Sequence, residues 1–163
     1  MTALVSAKLT SDELLDQERR ARFSTFSHQH ALRLGEAMKS VGERQNLPIV
    51  VDVYAFGQQI FHAALPGTCQ DNFHWVERKR NTVLRFAHSS LFMGVLCREK
   101  GASLEERYQL PKAKFASHGG SFPLFLEDKS LVGAATVSGL DQVSDHDLVV
   151  AAILDAQNMS ADI

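Results

Sequence analysis

Residues 49–56 read Ile-Val-Val-Asp-Val-Tyr-Ala-Phe. Gly57 follows, and Gln59-Ile60-Phe61-His62-Ala63-Ala64-Leu65 then runs on until Pro66-Gly67 stops it. Both runs are dominated by β-branched and other apolar residues, with charge nearly confined to Asp52. The glycine dividing them predicts an antiparallel hairpin. A second hairpin is predicted from residues 121–127 and 130–138 about the turn Asp128-Lys129, with Phe122, Leu124 and Leu126 alternating onto one buried face. The piece 113–117 is expected to add a short strand.

Helical signals fill the remainder. Thr10 with Glu13 has capping-box spacing and opens a polar helix over about 11–22. Ser27 is the expected cap of the next helix, whose Ala31, Leu34, Met38 and Val41 form one apolar stripe before Gly42 and Asn46-Leu47-Pro48 end it. After Thr68 and Asp71 a helix is expected with Phe73, Val76, Val83 and Ala87 inward and Glu77, Arg78, Lys79 and Arg80 outward. Ser89-Ser90 re-caps the chain before residues 91–100, Gly101 suits a helix C-terminus, and Ser103 with Glu106 starts a short turn. Ser144 with Asp147 is read as the cap of a last helix. Its run Leu148-Val149-Val150-Ala151-Ala152-Ile153-Leu154 is apolar almost all round and needs cover on both sides. Two hairpins separated by helices, without β-α-β alternation, define an α+β fold built on an antiparallel sheet.

A length of 163 residues fits one domain over 1–163, with residues 1–9 and 159–163 expected as flexible ends. Seventeen Lys and Arg against nineteen Asp and Glu leave a charge of −2, which argues against a nucleic-acid partner. Cys69 and Cys97 do not make a disulfide framework. The N-terminus lacks the basic start and apolar run of a secretory signal, and no stretch reaches the length of a membrane span. A cytoplasmic location without membrane contact is therefore the expectation.

Seven histidines (28, 30, 62, 74, 88, 118 and 146) invite a metal, but the only close pair, His28 and His30, points to different sides of a helix start, so no metal site is assigned. Ser144-Asp145-His146-Asp147 crowds triad residue types onto one helix turn, where they do not face one another, and capping accounts for the Ser and Asp. More informative is His118-Gly119-Gly120-Ser121-Phe122-Pro123. Paired glycines entering a strand allow positive φ and close approach, leaving N–H groups for an anionic oxygen, with His118 and Ser121 beside them. Arg85, one turn before Ser89, is the guanidinium nominated to clamp a carboxylate there.

The segment Trp75–Ser90, then His118–Pro123, Val132-Gly133, Thr136–Leu140 and Asp145-His146-x-Leu-Val149, resembles the GlcG/HbpS-like haem-degrading domain family and, within it, the uncharacterised UPF0303 branch. That resemblance implies a profilin-like fold, a central antiparallel sheet with helices on both faces, and homo-oligomers of at least two copies that would cover the apolar last helix. Some relatives bind haem or iron, so haem is the cofactor the resemblance allows, with His118 or His146 as ligand candidates. The leading expectation is a homo-oligomeric binder of a small anionic molecule at Arg85, Ser89, His118, Gly119, Gly120, Ser121, Phe122 and His146, with no reaction assigned. Haem binding or degradation and a non-catalytic protein-interaction assembly are the alternatives.

Overall fold

The computed structural model describes residues 8–157. Both hairpins form where sequence placed them. β2 (Val50–Ala55) pairs antiparallel with β3 (Gln58–Ala64), turning through Phe56 and Gly57, both at positive φ. β4 (Ser121–Leu126) pairs antiparallel with β5 (Leu131–Ser138), and β5 lies against β2, so the hairpins join in one sheet. One element was not foreseen. The two residues of β1 (Arg22–Phe23) add to β4 in parallel, giving the order β1-β4-β5-β2-β3 and a mixed sheet. A two-residue strand carries no periodicity of its own and is made by its neighbour. Residues 113–117 are not a strand; the segment is tied to the following helix, with Ala116 N–H donating to the Arg78 carbonyl.

The two faces of this sheet differ in chemistry. Val51, Val53, Phe122, Leu124, Ala135 and Val137 share the first face and form the main core. It is covered by α2 (His28–Arg44), through Ala31, Leu34 and Met38, and by α6 (Gln142–Gln157), through Val149 and Ile153. The opposite face carries a row of polar residues in register across four strands: Ser121 opposite Thr136, Thr136 opposite Asp52, Asp52 opposite His62. Lying against that face, α3 (Gln70–Phe86) sends Lys79 to the Val137 carbonyl and Arg80 to Asp52. Lys79 is thus buried, not part of a solvated outer face, because it falls on the stripe Val76, Lys79, Val83.

A second apolar cluster joins Leu14 of α1 (Ser11–Arg20) to Leu91, Phe92, Met93 and Val95 of α4 (Ser90–Glu99) and Leu104 of α5 (Leu104–Tyr108). The capping boxes at Thr10 and Ser103 form as spaced, and Ser27 caps α2 as expected, with His30 completing a box there that its residue type did not announce. The last helix starts earlier than its Ser144 signal: Asp141 accepts the Ser144 N–H at 2.9 Å and its hydroxyl at 2.6 Å, so Asp141 holds that first turn. Within the apolar run of α6, Val149, Val150, Ala152 and Ile153 are buried in the core shared with the sheet and α2, while Leu148 and Leu154 are half-buried and Ala151 is exposed. No helix among the described residues is long and apolar enough to cross a membrane. The expected flexible ends fall mostly on residues 1–7 and 158–163, outside the described residues.

Candidate functional site

The nominated residues divide into three places. Gly119, Gly120, Ser121, Phe122 and His146 come together inside the protein. Gly120 has φ +135°, a conformation L side chains rarely adopt. A Cβ on Gly119 would strike the Gln142 carbonyl, and one on Gly120 would strike the Val137 carbonyl and the Lys79 ammonium. Their polar groups are engaged too. Gly119 N–H donates to Gln142 Oε1 at 3.2 Å, and the Gly120 carbonyl accepts Val137 N–H at 2.8 Å. The cation beside the double glycine is therefore Lys79, and it is already matched by Asp145, whose Oδ2 stands 3.0 Å from Nζ. Burial lowers the Lys79 pKa and raises that of Asp145, and their mutual attraction opposes both shifts. Two N–H groups, from Gly139 and Leu140, also hold the carboxylate.

Ser121 spends its N–H on Ser90 Oγ at 3.1 Å and shares a hydrogen with Thr136 Oγ1 at 2.8 Å. His146 packs its ring 5.8 Å from that of Phe122 and bonds Gln17 Oε1 through Nε2 at 2.8 Å. Burial pulls its pKa down to about 4, so the imidazole is neutral at physiological pH. Ser89 sits at the helix junction: its Oγ caps α4 by accepting Phe92 N–H, and its own N–H donates to Glu18 Oε1, whose second oxygen meets His88 Nδ1 at 2.8 Å. Arg85 and His118 lie exposed. The Arg85 guanidinium rests 5.8 Å from the Phe115 ring, and His118 stands edge-on to Trp75 at 5.0 Å. Burial, Lys79 and Arg78 lower the His118 pKa.

None of these residues lines the groove of about 930 Å³ between α2 and α6. Phe23, Leu34 and Ala152 give it apolar walls; His30, Arg33, Ser40 and Arg44 face it from α2, and Asp155 from α6. Arg44 donates to Ser40 Oγ at 2.7 Å, and Arg33 has no ion-pair partner among the described residues. The capping geometry at Ser27 fixes the tautomer of His30. Its Nδ1 accepts the Ser27 N–H at 3.0 Å, so the ring proton of the neutral form sits on Nε2, which is buried without a partner. This row was missed from sequence because only the apolar stripe of α2 was followed. His30, Arg33, Ala37, Ser40 and Arg44 recur at helical spacing beside that stripe, and the recurrence is the signal that marks them.

These nitrogens can be tested against haem. An axial histidine needs a ring-nitrogen lone pair facing the macrocycle, and the groove lining holds no Cys, Met or Tyr to serve in its place. His30 lines the groove but carries its proton on Nε2, His146 is sealed against Phe122 and bonded to Gln17, and His118 lies outside the groove. No group of three His, Cys, Asp or Glu among the described residues is placed to hold a metal ion. Iron ligation in the groove therefore does not fit these residues.

The chain is thus an α+β protein, a mixed five-stranded sheet with helices on both faces. The chain belongs to the family described as haem degrading protein HbpS-like, whose model matches residues 26–154. It is 44% identical over 144 residues to a UPF0303 protein of Streptomyces coelicolor, covering 88% of this chain and 91% of that one. A UPF0303 protein of Psychromonas ingrahamii is 40% identical over 143 residues, with 88% and 90% covered. Among solved structures, the Ybr137w protein superposes with a TM-score of 0.84 at 32% identity, over 93% of this chain and 91% of that one. A PduOC:heme complex superposes at 0.67 with 20% identity, over 82% and 96%, and HbpS at 0.64 with 13%, over 82% and 91%. These last two likenesses establish the shared fold alone.

Proposed function

We propose that this chain is a binding protein for a small amphipathic anion, held in the groove between α2 and α6. The observation that carries the proposal is the combination of apolar walls with Arg33 and Arg44 on one side. Its volume lies in the range of small-molecule sites. Two guanidiniums are donors suited to carboxylate oxygens. The anion expected from sequence is kept, while its seat moves from the double glycine to α2. Tetrapyrroles belong to this ligand class, and the family description and the haem complex of PduOC favour trying them first. Self-association into at least a dimer belongs to the same proposal, supported by the outer edge of β3, which pairs with no further strand among the described residues, and checked by light scattering.

The decisive experiment is a titration of the intact protein with haem and with metal-free protoporphyrin. Both are expected to bind with similar affinity, and the Arg33→Ala/Arg44→Ala double variant is expected to weaken each by about tenfold or more. Haem binding with a nitrogen-ligated Soret band, lost in a single histidine variant, while protoporphyrin fails to bind, would overturn the proposal.

A further inference from the structure

Asp52 is fully buried near the middle of the sheet's polar row. A carboxylate there needs compensation, and Arg80 supplies it through Nη1 at 2.9 Å from Oδ1. Two further groups nevertheless converge on Oδ2: the Gln59 amide and His62 Nδ1, the latter at 3.2 Å. An ionised carboxylate only accepts, so the shorter contact of His62 Nδ1, 3.2 Å to Asp52 against 3.5 Å to the Gln59 amide nitrogen, is a hydrogen bond when the proton lies on Nδ1, and the Nε2 lone pair of that neutral ring then has no partner among the described residues. His62 is on β3, an outer strand of the sheet, and its side chain is 31% exposed. The Phe73 ring meets it edge-on at 5.4 Å and fixes its plane. Arg80 spends one of its five N–H donors on Asp52 and lies 4.7 Å over the Tyr54 ring.

We propose that His62 is a general base at a second site, with Asp52 as its positioning residue and Arg80 as the group that draws in a substrate bearing a carboxylate or phosphate. A carboxylate that orients an imidazole through Nδ1, leaving Nε2 toward solvent, is the arrangement that makes histidine an effective base. In the step it serves, the Nε2 lone pair takes the proton of a substrate hydroxyl or of water. The O–H bond breaks, its electrons remain on oxygen, and the imidazolium formed is balanced by Asp52. A purely structural pair of Asp52 and Arg80 needs neither a half-open histidine nor this tautomer. The site shares no residue with the groove between α2 and α6, so either proposal can fail without the other.

The test is acylation of the intact protein by diethyl pyrocarbonate near neutral pH, mapped by peptide mass spectrometry. His74, at 59% side-chain exposure, serves as the internal reference. Although less exposed, His62 is expected to react about tenfold faster than His74. Millimolar inorganic phosphate is expected to slow His62 alone, and Asp52→Asn to bring His62 down to the His74 rate. Long-range nitrogen–proton spectra of the wild-type protein should show His62 with its proton on Nδ1. His62 reacting no faster than His74, equal rates with and without phosphate, or a proton on Nε2 would each overturn the proposal. The wild-type measurements decide it even if Asp52→Asn fails to fold.

Discussion

Lys79 and Asp145 form an ion pair 3.0 Å apart, one from the middle of α3 and the other from the first turn of α6, both withdrawn from water. The pair fastens the helical layer on the polar face of the sheet to the one on its apolar face. It also takes up the space that Gly120 leaves open. Removing one partner strands a charge in the interior. Lys79→Met is therefore expected to cost about 3–5 kcal/mol, and the double variant Lys79→Met/Asp145→Leu clearly less than the two single losses added together. Urea unfolding of the four proteins measures the coupling, and strict additivity would contradict it.

Gly120 combines a positive φ with a collision on both the Val137 carbonyl and Lys79. Gly120→Ala is expected to destabilise by about 2–4 kcal/mol through strain and displacement of the ion pair. Thermal unfolding checks this, and a variant as stable as the parent would refute the packing account of the double glycine.

His146 makes stability depend on pH. Its pKa is about 4 in the folded protein against 6.5 ordinarily. As pH falls from 6.5 toward 4 the unfolded chain binds a proton that the folded chain refuses. The stability this histidine contributes above pH 6.5 is therefore lost across that window. The full effect is about 3 kcal/mol. Urea midpoints measured across the window should fall for the parent, and less steeply for His146→Gln. Equal slopes would contradict the assignment.

Arg85 is exposed and rests on aromatic faces. Arg85→Ala is expected to change stability by no more than about 0.5 kcal/mol and to leave porphyrin binding untouched. A large loss of affinity in a titration would return the anion to the site first read from sequence.

The two hairpins were legible because alternation, glycine and charged turns carry local physics. The start of α2 and the re-capping at Ser89 were equally legible from their hydroxyls. Lys79 was hidden by its own type: helical spacing puts it between Val76 and Val83, but a charge is ordinarily solvated, and only Asp145, 66 residues away, makes the inward position tenable. His62 was hidden for the same reason, since nothing within β3 announces that Asp52 stands opposite. Arg33 and Arg44 recur at helical spacing within α2, but the groove they face is closed only by α6, far along the chain, and that pairing is not written in α2 itself.

Asp52 also guards the pairing of the strands during folding. If β2 mispaired with its neighbours by a single residue, every side chain would exchange sides, and this carboxylate would be thrust among Leu34, Met38 and Ile153 with no cation in reach. An unmatched charge in hydrocarbon costs several kcal/mol. Mispaired hairpins are thus disfavoured from the outset, and one acidic residue acts as a proofreader for the whole sheet.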